Sequence, residues 1–206
     1  MVKNPGISMN KAIADIKVTA GIDEAGRGPL AGPLFAACVV LPKRHGIKGI
    51  DDSKKLTSRQ RDRLYDEIKE KTYFHIAKCS HKYIDKHGLR KACREVFKKA
   101  YKGLLKKYPE LQVQELLIDG RDNFKFDMKA TYIIGGDGKI PAIGAASILA
   151  KVARDRYMAR MHEKYPLYEF LQHKGYGTRL HRDLIQKNGP CEIHRKSFAP
   201  VKDMVE

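Results

Sequence analysis

The feature that most constrains the fold is a short polar connection between two apolar segments near the N-terminus. Residues 18–23 and 34–41 each have the length and composition of a buried strand, and the short connection favours antiparallel pairing. The connection begins with two carboxylates, Asp23 and Glu24, and continues with Gly26-Arg27-Gly28. Acidic groups at a strand end, next to backbone that glycine adopts at low cost, indicate a functional site. A tight hairpin whose two acids face water is the alternative.

The rest of the chain alternates helical and extended patterns. Apolar residues recur every three to four positions between 89 and 108, and Thr57 and Gln60 have the spacing of a capping box. Further strands are predicted at 73–80, 116–119 and 131–134, and further helices at 57–71, 145–163 and 180–188. This order predicts an α/β fold, a mixed sheet flanked by helices with a short C-terminal helical region. Residues 1–17 are expected to form a loose segment and residues 18–206 a single domain.

Charge restricts the class of partner. The 206 residues include 41 Lys and Arg against 24 Asp and Glu, which gives a formal net charge of +17. A field of that sign attracts polyanions, of which nucleic acid is the commonest, although a generally basic proteome would give the same balance. The sequence therefore favours a nucleic-acid partner.

Cysteine spacing and hydropathy indicate a cytoplasmic protein. The four cysteines contain no Cys-x-x-Cys pair, which argues against a zinc ribbon and gives no disulfide framework. The N-terminus has no continuous apolar segment of the kind found in signal peptides. The longest apolar run, residues 29–42, is too short to cross a bilayer. We therefore expect a cytoplasmic monomer that does not bind a membrane.

Carboxylates recur where apolar segments end. Asp119 and Asp137 each follow such a segment, as Asp23 and Glu24 follow the first strand. Each alone would be an ordinary turn former, but neighbouring strand ends of an α/β sheet can converge. Four clustered carboxylates repel one another unless a cation neutralises them, and an all-oxygen set suits Mg²⁺ or Mn²⁺. The pattern therefore predicts a divalent-metal site.

A metal site of this kind in a basic chain is typical of phosphodiester hydrolysis. Two cations about 3.5–4 Å apart activate the attacking water and stabilise the leaving oxygen in such enzymes. A glycosidase with an acid/base pair of carboxylates is the competing interpretation. That interpretation explains neither the positive charge nor the number of acids.

Several long motifs together resemble those of the ribonuclease HII family, the type 2 RNase H enzymes. They are residues 21–33 (GIDEAGRGPLAGP), 52–56 (DSKKL), 118–120, 136–137, 145–155 (AASILAKVARD) and 173–178 (HKGYGT). The resemblance extends over nearly the whole chain, from about Val18 to Val201. It implies an RNase H-like fold and endonucleolytic cleavage of RNA in RNA–DNA hybrids, including single ribonucleotides embedded in DNA. It also implies products with 5′-phosphate and 3′-hydroxyl ends.

The resemblance assigns roles to individual residues. The metal-binding acids of the family fall on Asp23, Glu24, Asp119 and Asp137. Its glycine-arginine-glycine element falls on Gly26, Arg27 and Gly28, whose backbone would contact the ribose 2′-hydroxyl, the group that distinguishes RNA from DNA. Its junction-sensing tyrosine falls on Tyr176, although a lone tyrosine is more often a packing residue.

Other polar residues have weaker signals. Lys54 and its neighbour Lys55 are expected to hold phosphates, or to be a solvated pair in a loop. Ser147 and Lys151 are one helical turn apart and are expected to face the nucleic acid backbone, or to be ordinary helix surface. Arg154 and Asp155 are expected to pair or cap locally. The histidines are too widely spaced to predict a metal site, and most are expected in loops or on the surface: His162, His173, His181 and His194.

Two rival functions remain open at this point. A module that binds hybrids without cutting them would explain the charge, but its four carboxylates would repel the ligand. A DNA nuclease with RNase H-like architecture would keep the acids and would not read the 2′-hydroxyl. Cleavage of a duplex with and without a single ribose separates the three functions.

Overall fold

The computed structural model describes residues 18–50, 53 and 55–204. The expected loose segment at residues 1–17 and the predicted phosphate ligand Lys54 lie outside these residues. Five strands form one sheet. They are β1 (Val18–Ala25), β2 (Leu34–Val40), β3 (Tyr73–Cys79), β4 (Val113–Asp119) and β5 (Ala130–Ile133).

The strand order β3-β2-β1-β4-β5 makes the sheet mixed. β1 pairs antiparallel with β2, as the short connection predicts, and β2 pairs antiparallel with β3. β1 runs parallel to β4, and β4 runs parallel to β5. Because the carboxyl ends of parallel strands meet at one edge of a sheet, the acids that end β1 and β4 leave the sheet side by side.

Six α-helices accompany the sheet within the described residues. They are α1 (Ser58–Lys71), α2 (His81–His87), α3 (Leu89–Lys107), α4 (Pro141–Lys164), α5 (Phe170–His173) and α6 (Arg179–Asn188). The capping box is confirmed at the start of α1, where Thr57 and Gln60 bond to each other's backbone. The short helices α2 and α5 are additions to the predicted set.

The two faces of the sheet carry separate cores. Ile22 and Ile118 pack with the buried side of α3, including Phe97, on one face. On the other face the residues between Ala145 and Val152 of α4 pack with α1. The α/β fold with a mixed sheet flanked by helices is therefore confirmed.

Helix α4 lies unusually close to the central strand. A Cβ atom on Gly21 of β1 would lie 2.2 Å from the carbonyl carbon of Ala142, so only glycine permits this approach. The approach brings α4 beneath the end of β1, where the first two acids are located.

A third core lies under the C-terminal helical region. Leu30 and Ala31, from the connection after β1, pack there with Met158 of α4, Phe170 of α5 and Ile185 of α6. The predicted C-terminal helical region therefore serves as support for the loop beside the acids. None of the helices in the described ranges has the length and apolarity to cross a membrane.

Candidate active site

The four predicted acids lie on three separate segments of the chain, at or just after the ends of β1, β4 and β5. Asp23 and Glu24 are at the end of β1, and Asp119 is the last residue of β4. Asp137 lies in a single 3₁₀ turn, Gly136–Gly138, just after β5, and its side chain is buried. The Asp119 carboxylate accepts a hydrogen bond from the Gly136 amide at 2.6 Å, which ties the end of β4 to the turn that bears Asp137.

Burial and mutual repulsion oppose ionisation of the first two acids. Desolvation, followed by the charges of Glu24 and Asp119, raises the pKa of Asp23 well above its ordinary value. Desolvation also raises the pKa of Glu24 to about 7, although the Arg27 guanidinium acts in the opposite direction. Keeping Asp23 and Glu24 ionised without a cation therefore costs free energy.

The chemistry of this acid cluster fits a divalent cation. All the side-chain donors are carboxylate oxygens, the ligands that Mg²⁺ and Mn²⁺ prefer. Among the described residues, no three His, Cys, Asp or Glu side chains are already spaced to hold a single ion. The acid cluster nevertheless has the donor chemistry that such a cation requires.

The loop after β1 combines a constrained glycine with an open one. Gly26 has φ +104°, and a Cβ on it would lie 2.3 Å from Nε of Arg154. Gly28 is exposed, with open space where a side chain would project. Between them, Arg27 donates from Nη1 to Asp122 at 2.7 Å and lies 3.6 Å from the Glu24 carboxylate. Its guanidinium therefore faces the acids, and the backbone at Gly28 is accessible.

Buried arginines hold this loop from behind, and sequence reasoning missed their role. Arg195 is fully buried and donates to the carbonyls of Gly26, Arg27 and Gly32 at 2.6, 2.8 and 3.0 Å. Burial, together with the nearby Arg154 charge, lowers the pKa of Arg195 to about 9. The three carbonyls accept the hydrogen bonds that the buried guanidinium can no longer make to water.

Arg154 is a second buried arginine of this kind. The expectation that it pairs or caps locally with Asp155 is wrong, because it donates to the carbonyls of Ala31 and Pro33 at 3.1 and 3.2 Å. Asp155 instead accepts from Lys151 at 2.8 Å. An arginine that binds distant carbonyls has the same sequence appearance as a surface arginine, so no local pattern identified it.

Tyr176 lies on a second loop that is joined to the first. The Leu30 amide donates to the Gly175 carbonyl at 2.8 Å, which connects the two loops through their backbones. The Tyr176 ring is 39% exposed, with Lys151 and Arg154 at 5.6 and 5.5 Å from its centroid. Tyr176 is therefore partly exposed beside the glycine loop, with two cations near its ring.

Ser147 has a different environment from the predicted helix surface. Its side chain is buried and lies 2.9 Å from the Ser53 hydroxyl. A hydrogen bond from Ser147 also favours the charged form of Asp23 and so opposes part of its raised pKa. Ser147 therefore contacts the acid cluster from within the protein.

Three of the four histidines expected in loops or on the surface are buried. His173 and His181 stack with ring centroids 4.1 Å apart, and the Nε2 atoms of His181 and His194 are 3.1 Å apart. Desolvation, followed by the neighbouring imidazoles, lowers the pKa of His181 to about 3; burial lowers that of His194 to about 4. His181 also bonds to the Tyr176 carbonyl at 3.0 Å, so these neutral rings support the tyrosine loop.

Known proteins are similar to this chain in sequence and in fold. The family model of ribonuclease HII matches residues 20–201. A ribonuclease HII of Caldicellulosiruptor bescii is 49% identical over 181 residues, 86% of this chain and 84% of that protein. One of Delftia acidovorans is 47% identical over 91% of this chain and 78% of that protein. The crystal structure of ribonuclease H2 from Pyrococcus horikoshii superimposes with a TM-score of 0.75 at 25% identity, covering 91% of this chain and 96% of that chain.

Proposed function

Because the chain belongs to the ribonuclease HII family, and is thus a metal-dependent endoribonuclease that cleaves RNA–DNA hybrids, we propose that the acid cluster holds its divalent cations. The acids are Asp23, Glu24, Asp119 and Asp137. The observation that supports this proposal most strongly is the burial of neighbouring carboxylates, since desolvation first and the adjacent acids second raise the pKa of Asp23 and Glu24. Mg²⁺ or Mn²⁺, when bound, supplies the Lewis acidity that activates water and stabilises the leaving oxygen.

The loop at Gly26, Arg27 and Gly28 selects the sugar in this proposal. The exposed backbone at Gly28 has no side chain to keep a ribose away, so its polar groups can bond to a 2′-hydroxyl. Arg27 holds the loop against the acids through Glu24 and Asp122. Selection of ribose and hydrolysis of the adjacent phosphodiester bond thus take place side by side.

Tyr176 and the nearby cations extend recognition to the neighbouring nucleotide. The exposed tyrosine ring can pack on a deoxyribose or base at an RNA–DNA junction, which supports cleavage at single ribonucleotides embedded in DNA. Lys151 and Lys54 supply positive charge for the backbone, and Ser147 acts through its contact with Asp23. The products carry 5′-phosphate and 3′-hydroxyl ends, and the enzyme acts as a cytoplasmic monomer.

The test is cleavage by Asp119→Asn of a duplex that contains one ribonucleotide. Loss of a metal ligand is expected to lower the rate at least about a hundredfold, since loss of an outer-shell partner alone costs 10–100-fold. Asp66→Asn, which removes an exposed carboxylate on α1, is the matched control and should cut at the wild-type rate. Cleavage by Asp119→Asn at the wild-type rate would refute the metal assignment.

The same assay tests sugar selection. Replacing the single ribose with deoxyribose should abolish cutting by the wild type, because the loop loses the 2′-hydroxyl it binds. Undiminished cutting of the all-DNA duplex would identify a DNA nuclease instead. A second duplex of the same sequence carries a tract of several ribonucleotides and is cut in parallel. The ratio of the two cleavage rates measures the contribution of the RNA–DNA junction.

A further inference from the structure

A groove lined by cations opens between the start of α3 and the segment that follows β4. Its volume is about 620 Å³, and its walls contain four Lys and Arg side chains and no carboxylate. We refer to it as the basic groove. The residues that define it are Arg90, Lys91, Arg94, Asn123, Phe124 and Lys125.

The charges of the basic groove have no ion-pair partner in the part of the chain that the structure describes. Lys91, Arg94 and Lys125 are exposed, and none of them forms an ion pair with another residue in the described parts of the chain. Elsewhere on α3 the arrangement differs, since Lys99 pairs with Glu95 at 3.6 Å. Clustered cations without carboxylate partners repel one another, and a bound polyanion removes that repulsion.

The fourth cation of the basic groove is held in place by its walls. Arg90 lies over the Phe124 ring, with its guanidinium carbon 5.8 Å from the ring centroid, and donates from Nη2 to Asn123 at 3.4 Å. The groove therefore has a formed side as well as exposed lysine side chains.

The basic groove adjoins the candidate active site. Asn123 directly follows Asp122, whose carboxylate accepts the 2.7 Å hydrogen bond from Arg27 of the sugar-selecting loop. Cys93, on the buried side of the same turn of α3, is close enough for the charges of Arg27 and Glu24 to affect its pKa. The groove thus begins one residue after Asp122, the hydrogen-bond partner of Arg27.

We propose that the basic groove binds the sugar–phosphate backbone of the substrate duplex beyond the cleaved bond. This inference rests on the proposed function, because it assigns a second contact region to the same duplex. Each cation placed near a phosphate releases condensed counterions, so the groove contributes affinity that depends on salt and not on base sequence. The contact anchors the duplex while the loop examines individual sugars.

The test compares two double variants of the same helix. Lys91→Gln/Arg94→Gln removes two charges from the groove, and Lys102→Gln/Lys106→Gln removes two charges farther along α3. Arg94 and Lys102 are separated by roughly 12 Å along the helix axis at about 1.5 Å per residue. All four side chains are exposed and form no ion pair with another described residue, so both variants should fold, and their melting temperatures check this.

Affinity for a duplex with one ribonucleotide is measured without divalent cation at several salt concentrations. The groove variant should bind roughly tenfold more weakly at about 0.1 M salt, with the slope of log affinity against log salt reduced by about 1.8 for two lost phosphate contacts. In steady state with Mg²⁺ its KM should rise about as much, with kcat within about twofold of the wild type. The control variant should keep the wild-type slope and KM.

Equal losses in the two variants would overturn the proposal, because they would reflect net charge alone. A groove variant that matches the wild type would overturn it as well. Failure of the proposed function gives a different result. In that case the wild type would not cut the duplex with Mg²⁺, regardless of the affinities of the two variants for the duplex.

Discussion

The acid cluster and the loop beside it differ in how their buried charges are stabilised. In the cluster, Asp23, Glu24 and Asp119 bring like charges together, and burial raises the pKa of the first two. Behind the loop, Arg154 and Arg195 are buried cations, but backbone carbonyls accept their hydrogen bonds. The loop therefore draws most of its partners from within the protein, although Nη1 of Arg154 is buried with no hydrogen-bond partner among the described residues. The acid cluster, in our proposal, is neutralised by an external cation.

This difference predicts how stability and activity change together. A substitution that removes a charge from the acid cluster relieves repulsion, so it should stabilise the metal-free protein while it abolishes cleavage. A substitution that removes a buried arginine leaves carbonyls without donors, so stability and cleavage should fall together. Such opposite behaviour is expected where a site stores unfavourable interactions for function.

The largest change in stability is expected at Arg195. Arg195→Met keeps the length of the side chain but removes the donors to Gly26, Arg27 and Gly32, which should cost about 3 kcal/mol. For a chain of this size that lowers the melting temperature by roughly 10 °C. Cleavage should also fall, with partial recovery in Arg195→Lys. The control is Lys196→Met, an exposed neighbour; equal melting temperatures for Arg195→Met and this control would contradict the account.

A smaller difference is expected in the dependence of stability on pH. His181 and His194 have pKa values lowered to about 3 and 4, so the stability they provide is complete above about pH 6.5 and declines as the pH falls toward those values. Glu24 has the opposite sign, because its pKa is raised to about 7. The ionised Glu24 carboxylate destabilises the folded protein above pH 7, and this destabilisation disappears as the pH falls toward 4.5.

Glu24→Gln separates these two contributions. Without the compensating glutamate, the variant should lose free energy of unfolding faster than the wild type between pH 7 and 5, by at most about 1.4 kcal/mol per pH unit. Urea unfolding of the metal-free proteins measures the difference. Glu70→Gln, on the exposed side of α1, is the matched control. Parallel curves for wild type and Glu24→Gln would contradict the assigned sign.

Local patterns predicted the elements that bear the acids. The capping box fixed the start of α1 because its hydrogen bonds join residues three positions apart. The strands before Asp23 and Asp119 were found because an apolar run is a property of neighbouring residues. Helix α2 was missed, since only Ile84 of its seven residues is buried and no periodic pattern exists over so short a length.

Long-range partners explain what the sequence did not predict. The hydrogen bonds of Arg195 join residues 163 to 169 positions apart, and nothing adjacent to Arg195 marks it as buried. The same holds for His181 and His194, which meet only after the C-terminal helices pack. The four carboxylates are predicted as a set because each one ends a local pattern and because the motifs resemble those of a known family.

The most direct measurement is the melting temperature of wild type and Asp119→Asn as Mg²⁺ or Mn²⁺ is added. Without metal, Asp119→Asn should melt above the wild type, because it removes a charge that opposes ionisation of Asp23 and Glu24. With metal, the wild type should gain stability by RT ln(1 + [metal]/Kd), and the variant should gain much less. Asp66→Asn should follow the wild type. Identical metal-free melting of wild type and Asp119→Asn, with no response of either to metal, would contradict the account.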